Sequence, residues 1–131
     1  MMAPDKPKDP DLRRFVVLRH TLRTGSHFDL MIENADRLAT WKFETFPGAS
    51  NAKPQPGVRL AEHRPLYLDY EGPVSNDRGD VIRQDSGGCR ARVLTEDHWT
   101  VEFFGARLTG RYELRRASPE SDEWSLHRLG A

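Results

Sequence analysis

Polar and apolar residues alternate with a period of two along Ser26-His27-Phe28-Asp29-Leu30-Met31-Ile32-Glu33, broken only at Met31 and Ser26. In a strand, successive side chains point to opposite faces. Phe28, Leu30 and Ile32 therefore share one face, and His27, Asp29, Met31 and Glu33 the other. Alternation of this kind marks a strand with one face in the core. Upstream, Phe15-Val16-Val17-Leu18-Arg19 is short, apolar and rich in β-branched residues, and reads as a first strand. The polar segment His20 to Ser26 reads as a loop. Asn34-Ala35-Asp36 is a turn, and Arg37 to Phe43 alternates again, with Leu38 and Trp41 facing the core.

The second half repeats this texture. Val58 to Ala61 and Asp80 to Gln84 read as short strands, and Gly87-Gly88 as a turn. Cys89 to Leu94, His98 to Phe104, Arg107 to Arg115 and Trp124 to Leu129 read as further strands. Glu44 to Gly57 is rich in Pro, Gly, Ala and Asn and predicts a long loop, a length that often carries function. His63 to Gly72 mixes His, Tyr and acid around Pro65, which argues against a central strand. No stretch has helical periodicity. Many short strands with turn punctuation predict an all-β fold, a compact single-domain antiparallel β-barrel with long active-site loops. A barrel is favoured over a sandwich because closure leaves no exposed edges.

Composition narrows the picture. A chain of 131 residues suits one domain. Residues 1–12 hold prolines and alternating charges without apolar periodicity, so a disordered tail is expected there, with the domain over 13–131. Twenty basic and twenty acidic residues cancel, so any nucleic-acid contact must come from a local patch. The lone Cys89 forms no internal disulfide and builds no thiolate metal site. No apolar stretch spans a bilayer and no signal-peptide core is visible, which predicts a soluble, cytoplasmic protein without a membrane partner.

Chemistry concentrates around the alternating strand. Two imidazoles and a carboxylate suit a divalent cation such as zinc, manganese, iron or cobalt. His20, His27 and Asp29 form that set if the intervening loop folds His20 back beside the strand. A surface pair of His27 and Asp29 is the plainer alternative. His63, with Tyr67 and either Arg59 or Arg64, could bind a phosphate through charge-assisted donors. Such a histidine could also protonate a leaving alkoxide. Arg107, Arg111 and Arg115 share one strand face, as a phosphate-backbone contact or a solvated exterior. His98, His127 and Cys89 read as structural.

Taken in order, Phe-Val-Val-x-x-His20, then His27-x-Asp29-Leu-x-x-Glu, then Trp41, then Glu62-His63-x-x-x-Tyr67-x-x-Tyr-Glu-Gly resembles the 3′-phosphoesterase domain of bacterial DNA ligase D. Gly105-Ala-Arg-Leu-Thr-Gly-Arg-Tyr-Glu-Leu-Arg-Arg and Trp124 are similar to that family's closing strands. The resemblance runs from about Arg14 to Leu129, with no polymerase or ligase module, as in a stand-alone member. It implies a β-barrel that binds a divalent metal, manganese first, with zinc or cobalt as alternatives. It implies hydrolysis at nucleic-acid 3′ ends, removing a terminal ribonucleoside or a 3′-phosphate in DNA end repair, on DNA or DNA with terminal ribonucleotides. DNA repair proteins are further expected partners. By the same resemblance, His20, His27 and Asp29 match the metal ligands, and His63 and Tyr67 match active-site residues at the scissile phosphate. Met31 stands where the family has an arginine, Leu18 where it has a glutamine, and Thr45 where it has a lysine. Arg59 is then a candidate substitute phosphate contact. Met31 also motivates a second reading, a catalytically weakened barrel that binds nucleic-acid ends or a repair partner. A small iron oxygenase with a facial triad of His27, Asp29 and His63 is a third.

Overall fold

The computed structural model describes residues 9–49 and 53–130. Nine strands follow one another as β1 (Leu12–Leu22), β2 (Gly25–Asn34), β3 (Arg37–Phe43), β4 (Gln55–His63), β5 (Gly72–Pro73), β6 (Asp80–Thr95), β7 (His98–Phe104), β8 (Thr109–Arg116) and β9 (Glu123–Gly130). A single 3-10 turn, Pro65–Leu68, interrupts them. The antiparallel order β1-β2-β3-β4-β9-β8-β7-β6 closes through β1–β6 pairing, which makes an eight-stranded barrel with β5 added outside. The all-β barrel expected from the alternation is therefore the fold observed.

The barrel interior is one apolar cluster drawn from the inward faces. Phe15, Val17, Leu30, Ile32, Trp41, Phe103, Leu114 and Leu126 lie in it. The outward face of β1, β2 and β3 carries a second cluster of Val16, Leu18, Met31 and Leu38. Leu68 and Val81 complete that cluster, and Tyr67, Tyr70 and Val74 pack against it. The segment from Arg64 to Gly79 thus roofs one wall of the barrel. This explains why Phe15 to Leu18 are all buried: the run is covered on both faces.

Three boundaries differ from the sequence reading. The polar segment after Arg19 is not a loop. β1 continues to Leu22 and β2 starts at Gly25, so a tight hairpin joins them. Gly87 and Gly88 make no turn but lie inside the sixteen-residue strand β6. A Cβ at Gly87 would sit 2.8 Å from the Phe104 carbonyl oxygen, so glycine there admits the close approach of β7. Of the expected tail, residues 1–8 lie outside the described residues. Asp9 to Leu12 are tied to the barrel: Asp9 pairs with Arg90 at 2.8 Å, the Ala91 amide donates to Asp11, and Leu12 opens β1.

Candidate metal centre and cleft

His20 and His27 face each other directly across the β1–β2 ladder. Asp29 lies two residues along β2, on the same outward face. The register alone therefore assembles the trio, with no need for a folded-back loop. His20 Nδ1 lies 3.6 Å from one Asp29 oxygen, and His27 Nε2 lies 3.2 Å from the other. The two rings stand edge to face with centroids 4.9 Å apart. One donor atom from each residue lies within 4.8 Å of the other two. Asp29 is 2% exposed, yet its Oδ1 has no hydrogen bond, because His27 approaches it without hydrogen-bond geometry. A buried carboxylate oxygen without a donor costs free energy unless a cation fills the gap.

The electrostatics fit that reading. Burial alone would push the Asp29 carboxyl up, but attraction from His20 and then His27 outweighs it and holds the group below its ordinary range. The neighbouring carboxylate in turn raises His20 above the ordinary imidazole range, against burial that lowers it. His20 Nε2 donates to the Arg78 carbonyl oxygen at 2.6 Å. That bond commits one ring nitrogen and turns Nδ1, a lone pair in the neutral ring, toward Asp29. A second partner of this kind commonly orients a metal-binding histidine.

The roof segment supplies the Arg78 carbonyl. Gly79 has φ +81°, and a Cβ there would overlap the Thr21 carbonyl oxygen. Only glycine lets the chain press this closely onto β1 just past His20. The Val74 amide donates to the Gly79 carbonyl at 2.7 Å and closes the loop.

Between roof and wall lies a cleft of about 90 Å³, lined by His20, Asp29, Met31, His63, Tyr67, Val74, Arg78 and Val81. His63 ends β4, opposite Leu38 of β3. Its Nδ1 donates to the Ala61 carbonyl at 2.9 Å, which leaves Nε2 uncommitted. The Tyr67 ring stands edge to face with His63 at 5.8 Å and with Tyr70 at 5.9 Å. His20, Asp29, His63 and Tyr67 therefore share one cleft; His27, beside Asp29, lines a neighbouring groove with Lys42 and Glu44.

Arg59 does not join them. It pairs with Trp41 in the β3–β4 register, so its side chain turns inward. The guanidinium lies 4.5 Å from the Trp41 ring, 5.5 Å from Trp124 and 5.8 Å from Trp99. A phosphate contact for Arg59 beside His63 is corrected by this placement: the two side chains occupy opposite faces of the wall. Arg64 lines a separate groove beyond Tyr67. The long loop before β4 is stapled to itself by Gln55, which bonds Thr45, Phe46 and Gly48, and it contributes nothing to the cleft among the described residues. On the far side of the barrel, Arg107 stacks 3.9 Å over Phe46, and Arg115 contacts Glu113.

The profile of the DNA ligase D 3′-phosphoesterase domain matches residues 18–116, which hold every residue of this cleft. The chain belongs to that family. It is also 26% identical over 125 residues to the multifunctional non-homologous end joining protein LigD of Pseudomonas aeruginosa. That match covers 88% of this chain but only 15% of the relative, so the phosphoesterase-family domain corresponds to a small part of the longer protein. Within the family domain, two features were not legible beforehand. Arg78 sits in a turn whose glycine was visible, but nothing in the turn indicated which way its cation faced. Met31 was legible as an uncharged residue, not as the buried link between the cleft and the apolar cluster beneath the roof.

Proposed function

We propose that this domain is a phosphoesterase acting on 3′ ends of nucleic acid in DNA end repair. Its substrates are ends that carry a terminal ribonucleoside or a 3′-phosphate. The observation that carries the reading is the trio His20, His27 and Asp29, with a buried carboxylate oxygen that no donor satisfies. Two neutral imidazole nitrogens and one carboxylate suit a divalent cation, manganese first, with zinc or cobalt as alternatives. Bound there, such a cation polarises a phosphoryl oxygen and makes a bound water more acidic.

The remaining tasks fall to the chain. His20 is oriented by the Arg78 carbonyl, and Asp29 balances positive charge beneath the cleft. His63 presents Nε2 and, when protonated, gives its proton to the leaving oxygen of the ester. Tyr67, held against His63 and Tyr70, offers its hydroxyl to a phosphate oxygen. The roof excludes bulk water from one side, which strengthens each of these contacts.

The test is direct. The protein is incubated with manganese and a primer-template ending in one ribonucleotide, and in parallel with a 3′-phosphorylated strand. Trimming of either end is expected, and it should stop with a chelator and with His27→Ala. No trimming by the wild type, or unchanged trimming by His27→Ala, would count against the reading. A second reading rests on Met31, which is 1% exposed and puts a thioether at the cleft where a cationic donor would serve. It is an end-binding module without turnover, marked by tight binding that ignores the chelator.

A further inference from the structure

A phosphomonoester is a dianion, and a site that holds one needs a cation beyond the metal. Among the residues that line the cleft, only one carries a permanent positive charge, Arg78. Met31 brings none, Arg59 faces the barrel interior, and Arg64 lies beyond Tyr67. Lys42 is opposite Asp29 in the β2–β3 register, but it lines a different groove, with Ser26, His27 and Glu44.

The position of Arg78 is built rather than incidental. Its backbone is fixed by its carbonyl on His20 and its amide on Val74. Its side chain is held in turn: Nε donates to the Ser75 carbonyl at 2.8 Å and Nη2 to Ser75 Oγ at 3.3 Å. Among the described residues its guanidinium meets no carboxylate within salt-bridge distance; the neighbouring Asp77 is taken by Arg23 at 2.7 Å. A guanidinium has five N–H donors. Two are spent on orientation, and the rest are left for an acceptor. An arginine held on one edge with the other edge free is pre-organised for a planar, two-point contact to phosphate.

We propose that Arg78 is the residue that holds the terminal phosphate of the substrate, from the roof side of the cleft, opposite His63 and Tyr67. The inference rests on the phosphoesterase reading above and adds a specificity determinant to it: ends bearing a phosphate bind better than ends bearing a hydroxyl. Because the carbonyl that orients His20 belongs to the backbone, Arg78→Ala removes the guanidinium without removing that bond.

The experiment measures equilibrium binding by fluorescence anisotropy, with manganese present. The probe is an oligonucleotide ending in a 3′-methylenephosphonate, whose P–C bond is not hydrolysed, against the same strand with a 3′-hydroxyl. Wild type should prefer the phosphonate by about ten- to a hundredfold, the range of a charge-assisted hydrogen bond. Arg78→Ala should cut the preference by about tenfold or more, leaving what the metal and Tyr67 supply, Arg78→Lys should recover part of the loss, and Lys42→Ala should keep all of the preference. Manganese affinity, measured by calorimetry, should be equal in wild type and Arg78→Ala. Absence of the preference in wild type, or a preference undiminished in Arg78→Ala, overturns the proposal. Failure of wild type to bind manganese would instead overturn the metal reading, and an Arg78-dependent preference could still stand beside that result.

Discussion

Among the described residues two aspartates are buried, and their surroundings are opposite. Asp85, 6% exposed, lies where β6 passes the β7–β8 connection. Its Oδ1 accepts from the amides of Ser86 and Ala106, and its Oδ2 from those of Arg107 and Leu108, at 2.7 to 3.0 Å. Every lone pair that matters is answered by backbone, and the connection is pinned as a result. Asp29, 2% exposed, has no amide at all and leaves one oxygen unanswered between two imidazoles. The same side chain is a staple in one place and, at the proposed metal centre, a carboxylate with an open oxygen in the other. What separates structural from functional burial here is therefore the completeness of hydrogen bonding, not its depth.

The sharpest test of this contrast is one substitution made at both sites. Asp29→Asn keeps the shape and removes the charge. It should lower manganese affinity and end trimming by more than about a hundredfold, since loss of even an outer partner of a metal ligand costs about ten- to a hundredfold. The unfolding free energy from urea titration should stay within about 1 kcal/mol of wild type. Asp85→Asn should do the reverse. Its NH₂ would face two amide donors that lose their acceptor, at a cost of about 2 to 6 kcal/mol in total. Residual activity per folded molecule should be unchanged. Equal destabilisation at both sites would erase the distinction.

Arg59 extends the comparison to a half-buried cation. Burial lowers its pKa from the ordinary guanidinium value, and three indole faces take the place of a carboxylate. Arg59→Ala should cost about 2 kcal/mol of stability by denaturant unfolding, the scale of a desolvated cation–π contact. Binding of the phosphonate-ended strand should not change. A large loss of end binding with stability intact would return Arg59 to the substrate.

These cases show what the linear sequence could carry. Strand periodicity marked β7 to the residue, because one of its faces is covered and the alternation is clean, and β3 to the residue although both its faces are covered, because turn residues bound it. It also placed His27 and Asp29 side by side, since a period of two is all that pairing requires. His20 was harder. The polar run after Arg19 looks like a loop by composition, yet it continues the ladder because backbone pairing is indifferent to side-chain polarity. Gly87-Gly88 looked like a turn for the related reason that glycine signals either a bend or a close approach, and only the neighbouring β7 decides which. Arg59 and Arg78 could not be ranked from spacing. Arg59 is near His63 in sequence but on the other side of the wall, and Arg78 reaches the cleft only because Gly79 seats the roof on β1. Asp85 gave no signal, since its four donors come mostly from a connection some twenty residues away.

The smallest effect concerns a third buried acid, which has neither amides nor imidazoles around it. Cys89 is fully buried, and desolvation pushes its thiol from 9.0 up to about 12. Its folded pKa lies above its unfolded one, so the neutral thiol is what folding favours. That contribution is complete below about pH 9 and is lost as pH rises toward the folded value. Comparing Cys89→Ala with wild type in urea should therefore show two regimes. At neutral pH the variant should be weaker by about 1 kcal/mol, the size of a small cavity. Above about pH 9 the gap should close by up to about 1.4 kcal/mol per pH unit, because only wild type must release a thiol proton on unfolding. Asp29, Asp85 and Cys89 then form a series in which burial is common to all three. The compensation differs, from the imidazoles of the proposed cation site, through a ring of amides, to a thiol that simply stays neutral. A gap that did not narrow with alkali would mean that Cys89 finds an unseen donor, and would break the series at its simplest member.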